Sequence, residues 1–559
     1  MTAPPSDVRV PSGARGFVTT QNTLTALLIL LYVASRLWRL TATCLWFDEI
    51  FSFTAARHAW GELWRFAAAD LIHPPLFYAF LKIWTTTGGD SLLWLRLFPA
   101  LTSVLALVPF FLLARELRLG KSATNLALLL LAANGYLIKY AQELRMYSLL
   151  TLLALTSLWL FAKLVHSERA SRGLLLALFI VNLLLVYTHY YGWLVVACEA
   201  AFLILRDRRK LPSFLLACAA VALLFAPWVA ACASAAGEGG GLAQNIGWIG
   251  RPGSEDAAQM FALLNEPFHF RQSSDQPLYA RGGLLAGVLL VGLPVVALLV
   301  RRARRSGEDK DSNGEHDERK GGVAFLVFFA LAPVALAFVA SYALPVSVWG
   351  TRHLIFIAAP YALLAGVALA SLRPPSLKAL ALVLLCCWYL LAGALTLIRR
   401  DGAYIWCAWD GLAASAVKED ASFVVAENGA KDAGLAPVNV YAFEDLVAYH
   451  LWFALERDGG KRRFNVVVLK GVPGVAEDPA YFLPRRFDGV NTMSADSVGG
   501  ERFWAALRAA RWDESQPPLK LLLERGYRVE KIYETSAQGQ RAFLVLFARD
   551  DGARPLPPR

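Results

Sequence analysis

The sequence predicts a polytopic α-helical membrane protein, with about eleven transmembrane helices and a small extracytoplasmic α/β domain at the C-terminus. Three observations lead there. Of the 559 residues 57% are hydrophobic and the mean hydropathy is +0.45, more apolar than soluble domains. The excess sits in blocks of roughly 18–22 residues with few charges, long enough to cross about 30 Å of hydrocarbon. The Lys and Arg behind the net charge of +11 collect in short connectors between those blocks, and from about residue 400 the blocks give way to short β-branched and aromatic runs.

Taken in order, residues 1–20 form a polar cytoplasmic tail without the apolar core of a signal peptide. Residues 21–399 form a transmembrane module. The twenty-residue criterion places its spans near 22–42, 92–114, 122–138, 147–165, 173–188, 190–205, 212–232, 283–300, 323–343, 353–371 and 378–397. The basic connectors RELRLGK, HSERASR, RDRRK, RRARRSGEDK and LRPPSLK all fall on one side if the N-terminus is cytoplasmic, as the positive-inside rule requires. That distribution assigns the positive charge to membrane topology and excludes a nucleic-acid partner. The segment 301–322 becomes a cytoplasmic, disordered loop. An odd number of spans puts the C-terminus on the periplasmic or extracellular side of the cytoplasmic membrane.

Residues 400–559 read as the extracytoplasmic α/β domain. ASFVVAE, FNVVVLK and AFLVLFAR carry strand composition, whereas EDLVAYHLWFALE and VGGERFWAALRAARW carry helical periodicity. The seven cysteines (Cys44, Cys198, Cys218, Cys232, Cys386, Cys387 and Cys407) lack metal-ligand spacing, and most lie in apolar runs. They predict neither a disulfide framework nor a zinc site.

The loops this topology leaves outside hold nearly all the unusual polar residues of the membrane half. LWFDEIFSF follows the first span and sets Asp48 and Glu49 among aromatic side chains. One reading is that Asp48 caps a short interfacial helix. The other is that one acid takes a proton and the second positions it or a substrate hydroxyl. DLIHPPLFY carries His73 before two prolines that disfavour helix, which suits a structural loop or an anion donor. KYAQELRMYS groups Lys139, Gln142, Glu143 and Arg145 at the head of the fourth span. Lys139 and Glu143 are spaced to pair, whereas Arg145 either snorkels or holds an anion. YTHYYGW places His189 in an aromatic belt, and VWGTRHL puts Arg352 and His353 at one helix start, where an anion relieves two cations. A base, an anion cradle and aromatic surfaces beside lipid suit a donor with a phosphate head and a long isoprenoid tail.

The ordered set of DE after the first span, HPPL, QELRMY and YTHYYG resembles the bacterial glycosyltransferase family 39-like proteins of the GT-C superfamily. The protein O-mannosyltransferases and lipid A aminoarabinose transferases belong there too. The resemblance covers about residues 20–400 and is best over the first two hundred. It implies an inverting glycosyltransferase that moves a single sugar, a mannose-type hexose or an aminopentose, from a polyprenyl-phosphate donor at the outer face. The acceptor is a lipid, a glycan or a protein. Asp48 corresponds to the general base, with Glu49 beside it. Arg145 and Arg352 correspond to donor-phosphate contacts, with Lys139 and His73 as further candidates. Gln142, Glu143, Tyr147, His189 and Tyr190 would line the sugar or acceptor. The resemblance implies no metal and no cofactor beyond the polyprenyl-phosphate-linked sugar itself. RHL stands here where many relatives have RYL, so a tyrosine stack at His353 is not carried over.

Three other classes compete. A lipid-linked sugar transporter or flippase normally sets its ionisable residues near the midplane in broken helices, rather than at one face. A glycan polymerase or ligase shares the donor class but moves a whole glycan. A receptor would act through the C-terminal domain alone. Consumption of donor separates the enzyme from the transporter and the receptor.

Overall fold

The computed structural model describes residues 12–237, 249–268, 280–308, 314–398, 404–428, 437–457, 463–475, 487–537 and 539–550. The chain divides into two compact units. One comprises residues 1–40, 96–226 and 250–399; the other comprises residues 41–95, 227–249 and 400–559. The loop carrying Asp48 thus shares a unit with the C-terminal residues.

The first unit is helical. Helices stand at all the positions where the sequence predicts spans, beginning with Ser12–Leu37 and ending with Pro375–Ile398. Among the described residues seven helices are long and apolar enough to cross a membrane, while Lys121–Ala133 and Arg172–Thr188 are apolar but shorter. A 13-residue helix rises only about 20 Å. The predicted span 122–138 is interrupted, because Asn134 leaves helical geometry and starts a new helix, Gly135–Gln142, by accepting from the Leu137 N–H at 2.9 Å. The break between the Arg172–Thr188 and Tyr191–Arg206 helices falls at His189, whose backbone is extended. The loop expected to be disordered is helical to Glu308 and again from Gly314, and residues 309–313 lie outside the described residues.

Small residues set the close approaches. A Cβ on Gly366, in the Ala358–Ala370 helix, would stand 2.2 Å from the Ala123 carbonyl oxygen of the Lys121–Ala133 helix. This is the packing that membrane helices use where the hydrophobic effect gives no pull between them. Arg36 and Glu199 are among the buried polar groups inside apolar runs. Arg36 donates to the Ala132 and Leu131 carbonyls at 2.8 Å each and lies 3.5 Å from the Tyr32 ring centroid. Glu199 is fully buried and is held by Ser157 (2.6 Å) and Asn182 (3.0 Å) from two other helices.

The second unit contains a six-stranded sheet in the order β3-β2-β1-β4-β6-β5. The strands are β1 (Val438–Ala442), β2 (Phe464–Lys470), β3 (Asn491–Ser494), β4 (Arg502–Ala509), β5 (Tyr527–Ala537) and β6 (Gln540–Arg549). The helix Asp445–Arg457 makes the crossover between parallel strands β1 and β2, as parallel pairing requires. β6 pairs antiparallel with both β4 and β5.

Two expectations for this domain are overturned. ASFVVAE belongs to the helix Ala408–Asn428 rather than a strand. RFWAALRA, expected as helix, is the central strand β4 between β1 and β6. A strand covered on both faces reads as a continuous apolar run, and such a run lacks the alternation that separates strand from helix. FNVVVLK, AFLVLFAR and EDLVAYHLWFALE form the elements expected of them.

The expectation of no disulfide is also corrected. Cys44 and Cys407 are bonded across 363 residues with Cα atoms 5.3 Å apart, and the Cys44 N–H also donates to Cys407 Sγ at 3.1 Å. A pairing between such distant residues leaves no spacing signature.

Candidate functional site

In the second unit, Asp48 and Glu49 open the helix Phe47–Arg57. Asp48 is partly exposed in the first turn, where the helix dipole favours a carboxylate. Glu49 is buried at 1% exposure and accepts from the Trp46 N–H at 3.2 Å. The capping role that one reading gave Asp48 is therefore performed by Glu49, because the residue three places into a helix reaches back to the N-cap amide. The far end of this helix is capped by Lys82, which donates to the His58 carbonyl at 2.7 Å and the Ala56 carbonyl at 3.4 Å. His73 is buried in the turn between the Trp60–Asp70 and Leu76–Gly88 helices, its Nδ1 3.6 Å from Asp70 Oδ2.

The helix Phe47–Arg57 lies along the helix Asp445–Arg457. Phe47 meets the edge of Tyr449 at 5.3 Å and Phe53 meets Phe453 at 6.0 Å. Arg57 pairs with Glu456 at 3.1 Å. Burial, with the nearby carboxylates of Asp70, Asp48 and Glu456, pushes the Tyr449 phenol above its ordinary pKa.

In the first unit, the helix Gly135–Gln142 ends before the QELR motif is complete, and Glu143 is extended. The Lys139–Glu143 spacing is thus not one continuous helical face. Lys139 Nζ lies 4.9 Å from the Tyr140 ring centroid. Arg145 is buried at 2% exposure in the turn before the Tyr147–His166 helix, with its N–H donating to the Glu143 carbonyl at 2.6 Å. Burial excludes simple snorkelling, because a snorkelling guanidinium ends in solvent. Gln142 donates to the Trp38, Arg36 and Ser35 carbonyls at 2.7, 3.0 and 3.4 Å, closing the C-terminus of the Ser12–Leu37 helix.

Around this turn the unit gathers rings. Tyr140 and Tyr147 meet edge to face at 4.8 Å, and Tyr147 lies 6.5 Å from His189 and 6.3 Å from His353. His189 and His353 are 4.8 Å apart, and Tyr191 is 5.2 Å from His353. His189 Nδ1 accepts from the Tyr191 N–H at 3.1 Å, which leaves the proton of a neutral ring on Nε2. Tyr190 packs on Phe225 at 6.3 Å. Arg352 enters beside His353 on the 3₁₀ turn Thr351–Ile357, anchored by the Tyr136 hydroxyl donating to the Thr351 carbonyl at 2.6 Å. A Cβ on Gly350 would stand 2.5 Å from His353 Nδ1, so any larger residue there must displace the imidazole. QELRMY, YTHYYG and GTRHL, far apart in sequence, thus supply Tyr147, His189 and His353 to one ring cluster.

Sequence reasoning missed Arg36, Asn134, Lys82 and Tyr449. Arg36 did carry a signal, a cation inside an apolar run. Asn134 also bridges by donating to the Leu263 and Leu264 carbonyls at 2.9 and 3.1 Å, which no local pattern encodes.

The fold has counterparts among known proteins. Residues 72–230 match the model of the dolichyl-phosphate-mannose-protein mannosyltransferase family. The apo structure of ArnT from Cupriavidus metallidurans is similar over 96% of this chain and 98% of its own, with a TM-score of 0.55 and 15% identity. Its complex with undecaprenyl phosphate is similar over 97% and 100%, with a TM-score of 0.54 and 14% identity. The apo Archaeoglobus fulgidus oligosaccharyltransferase covers 79% of this chain and 64% of its own, with a TM-score of 0.46 and 15% identity. No curated protein sequence matches the chain. The fold is of the GT-C type. More particularly, it is similar to the fold of ArnT.

Proposed function

We propose that this chain is an inverting glycosyltransferase that moves a single sugar from a polyprenyl-phosphate donor to an acceptor on the outer face of the cytoplasmic membrane. The observation that carries the reading is Arg145: a buried guanidinium at the head of a membrane-length helix, inside the segment that matches the mannosyltransferase model. A cation held out of water suits a phosphate leaving group better than it suits lipid. That a structural relative is bound to undecaprenyl phosphate supports the donor class. The Cys44–Cys407 bond supports an extracytoplasmic position for the loop after the first span and for the C-terminal domain, since disulfides persist in oxidising compartments.

In this reaction the acceptor hydroxyl oxygen attacks the anomeric carbon as its proton passes to Asp48. The bond from that carbon to the phosphate oxygen breaks, the configuration inverts, and polyprenyl phosphate leaves with the bonding pair. Arg145 and Arg352 neutralise the phosphate, with Lys139 and His73 as further contacts. Glu49, tied to the Trp46 amide, holds the turn that presents Asp48. Tyr147, His189 and Tyr190 supply ring surfaces, and Gln142 and Glu143 belong to the same motif. We assign no metal to the displacement, whose charge is met by guanidinium groups. The sugar is a mannose-type hexose or an aminopentose, and the acceptor a lipid, glycan or protein.

The test is release of free polyprenyl phosphate from a panel of polyprenyl-phosphate sugars, with membrane extract supplying acceptors. Asp48→Asn should lower the rate by about 10²–10⁴-fold while donor binding persists. Arg145→Lys keeps the charge but loses the fork, and should weaken both donor binding and rate. A wild-type protein that releases nothing from any donor sinks the reading and favours a transporter or a glycan ligase.

A further inference from the structure

We propose that the C-terminal domain is the scaffold of the acid-bearing helix, with the Cys44–Cys407 bond and the Phe47–Arg57/Asp445–Arg457 seam acting together to position Asp48. The consequence for rate rests on the function proposed above; the scaffold itself does not.

The covalent half lies close to the acid. Cys44 precedes Asp48 by four residues, so at most about 14 Å of extended chain separates the bond from the carboxylate's backbone. Its partner Cys407 closes the 3₁₀ turn Ile405–Cys407, which feeds directly into the helix Ala408–Asn428. That turn is itself gripped. Trp406 is stacked on His450 at 4.7 Å, and the Arg508 guanidinium covers it at 4.3 Å. Arg508 is in turn paired with Glu444 on the approach to the Asp445–Arg457 helix. Cys407 is therefore a fixed anchor rather than the end of a loose connection.

The non-covalent half uses one face of the Asp445–Arg457 helix. Tyr449, Phe453 and Glu456 are spaced i, i+4, i+7, which aligns them on one stripe of the Asp445–Arg457 helix. They meet Phe47, Phe53 and Arg57 in the same chain order, so the two helices run in the same sense along the seam. Phe47 is the residue next to Asp48, and its ring is held by the edge of Tyr449. Ring edges and an ion pair at three successive points resist both rotation and sliding of the short helix. An 11-residue helix is marginal by itself in water, so the domain supplies what fixes it.

The device matters because a proton acceptor works only within hydrogen-bond reach of the attacking hydroxyl, and a displacement of about 1 Å can cost 10²-fold in rate. The C-terminal domain is then a positioning element for the reaction, whether or not it also touches the acceptor.

The test uses the full-length protein in native membranes and in detergent. Peptide mapping after alkylation without reductant should recover Cys44 and Cys407 as one linked pair. Cys44→Ser, Cys407→Ser and the double variant should each show about tenfold lower kcat for donor release per folded enzyme, with donor KM within twofold. The double variant should be no worse than either single one, since all three break one bond. Dithiothreitol, which closes to its own cyclic disulfide as it returns both cysteines to thiols, should lower wild-type kcat likewise. Oxidised glutathione should restore it. A purely stabilising bond would reduce the yield of folded protein and leave kcat unchanged. The proposal is overturned if Cys44 and Cys407 are alkylated as free thiols in untreated protein, or if kcat survives both reduction and the double substitution. If the wild type releases no polyprenyl phosphate, the transferase reading fails separately. Hydrogen exchange of residues 47–57 then decides the scaffold: exchange that rises on reduction supports it, and unchanged exchange overturns it.

Discussion

Glu199 shows how hydrogen counting determines the state of a single residue. Ser157 Oγ lies 2.6 Å from both Asn182 Oδ1 and Glu199 Oε1, yet a hydroxyl has one hydrogen to give. The ring closes if Glu199 is a neutral acid: its O–H donates to Ser157, Ser157 donates to Asn182, and Asn182 Nδ2 donates to Glu199 Oε2 at 3.0 Å. Glu199→Gln should then keep the fold and most activity, whereas Glu199→Ala strands two buried partners and should cost roughly 1–3 kcal/mol. Thermal unfolding in detergent checks both, and an unstable Gln variant would contradict the neutral ring. His450 gives a pH prediction of defined sign. Burial, reinforced by Arg508 and only partly opposed by its hydrogen bond to the Leu446 carbonyl, brings its pKa down to about 4. The folded ring stays neutral while the unfolded one protonates near 6.5. Stability is therefore full above pH 6.5 and is lost as pH falls toward 4, by on the order of 3 kcal/mol. Melting of the full-length protein across that range should show the loss, and His450→Gln should flatten it.

Among elements, the decisive features are close approaches and broken helices. Gly366 faces the Ala123 carbonyl, and a Cβ on Gly192 would stand 2.8 Å from the Leu185 carbonyl oxygen. Alanine at either position must move backbone, and should cost about 1–3 kcal/mol by overpacking. Gly173 has nothing within 4 Å of a Cβ, so Gly173→Ala is the matched control and should be neutral or slightly stabilising. Equal melting temperatures for all three variants would contradict the packing argument. The Gly192 approach also explains why YTHYYG needs its glycine: the chain stops one helix at His189 and starts the next at Tyr191. In the sequence, two apolar helices separated by only two residues read almost as one continuous hydrophobic run. β4 failed for the related reason that burial on both faces erases periodicity.

For the whole molecule, the charge distribution makes a topological prediction. A cysteine placed at Glu168, in the connector after the Tyr147–His166 helix, should react with a membrane-impermeant maleimide only after permeabilisation. A cysteine at Glu530, on exposed β5, should react in intact cells. The opposite pattern would invert the orientation and remove the basis for an extracytoplasmic reaction. The sequence by itself determined the membrane class, the approximate helix positions, the α/β character of the C-terminal domain, and the motifs around Asp48, Arg145, His189 and Arg352. Those properties follow from composition, segment length and local residue type, which hydropathy and charge express directly. Tertiary structure alone decided that Cys44 bonds Cys407, that Gln142 closes the first helix, and that Tyr147, His189 and His353 share one cluster. Each of these depends on which atoms meet across tens to hundreds of residues. Such meetings are set by packing and by the need to satisfy every buried polar group, neither of which leaves a local trace.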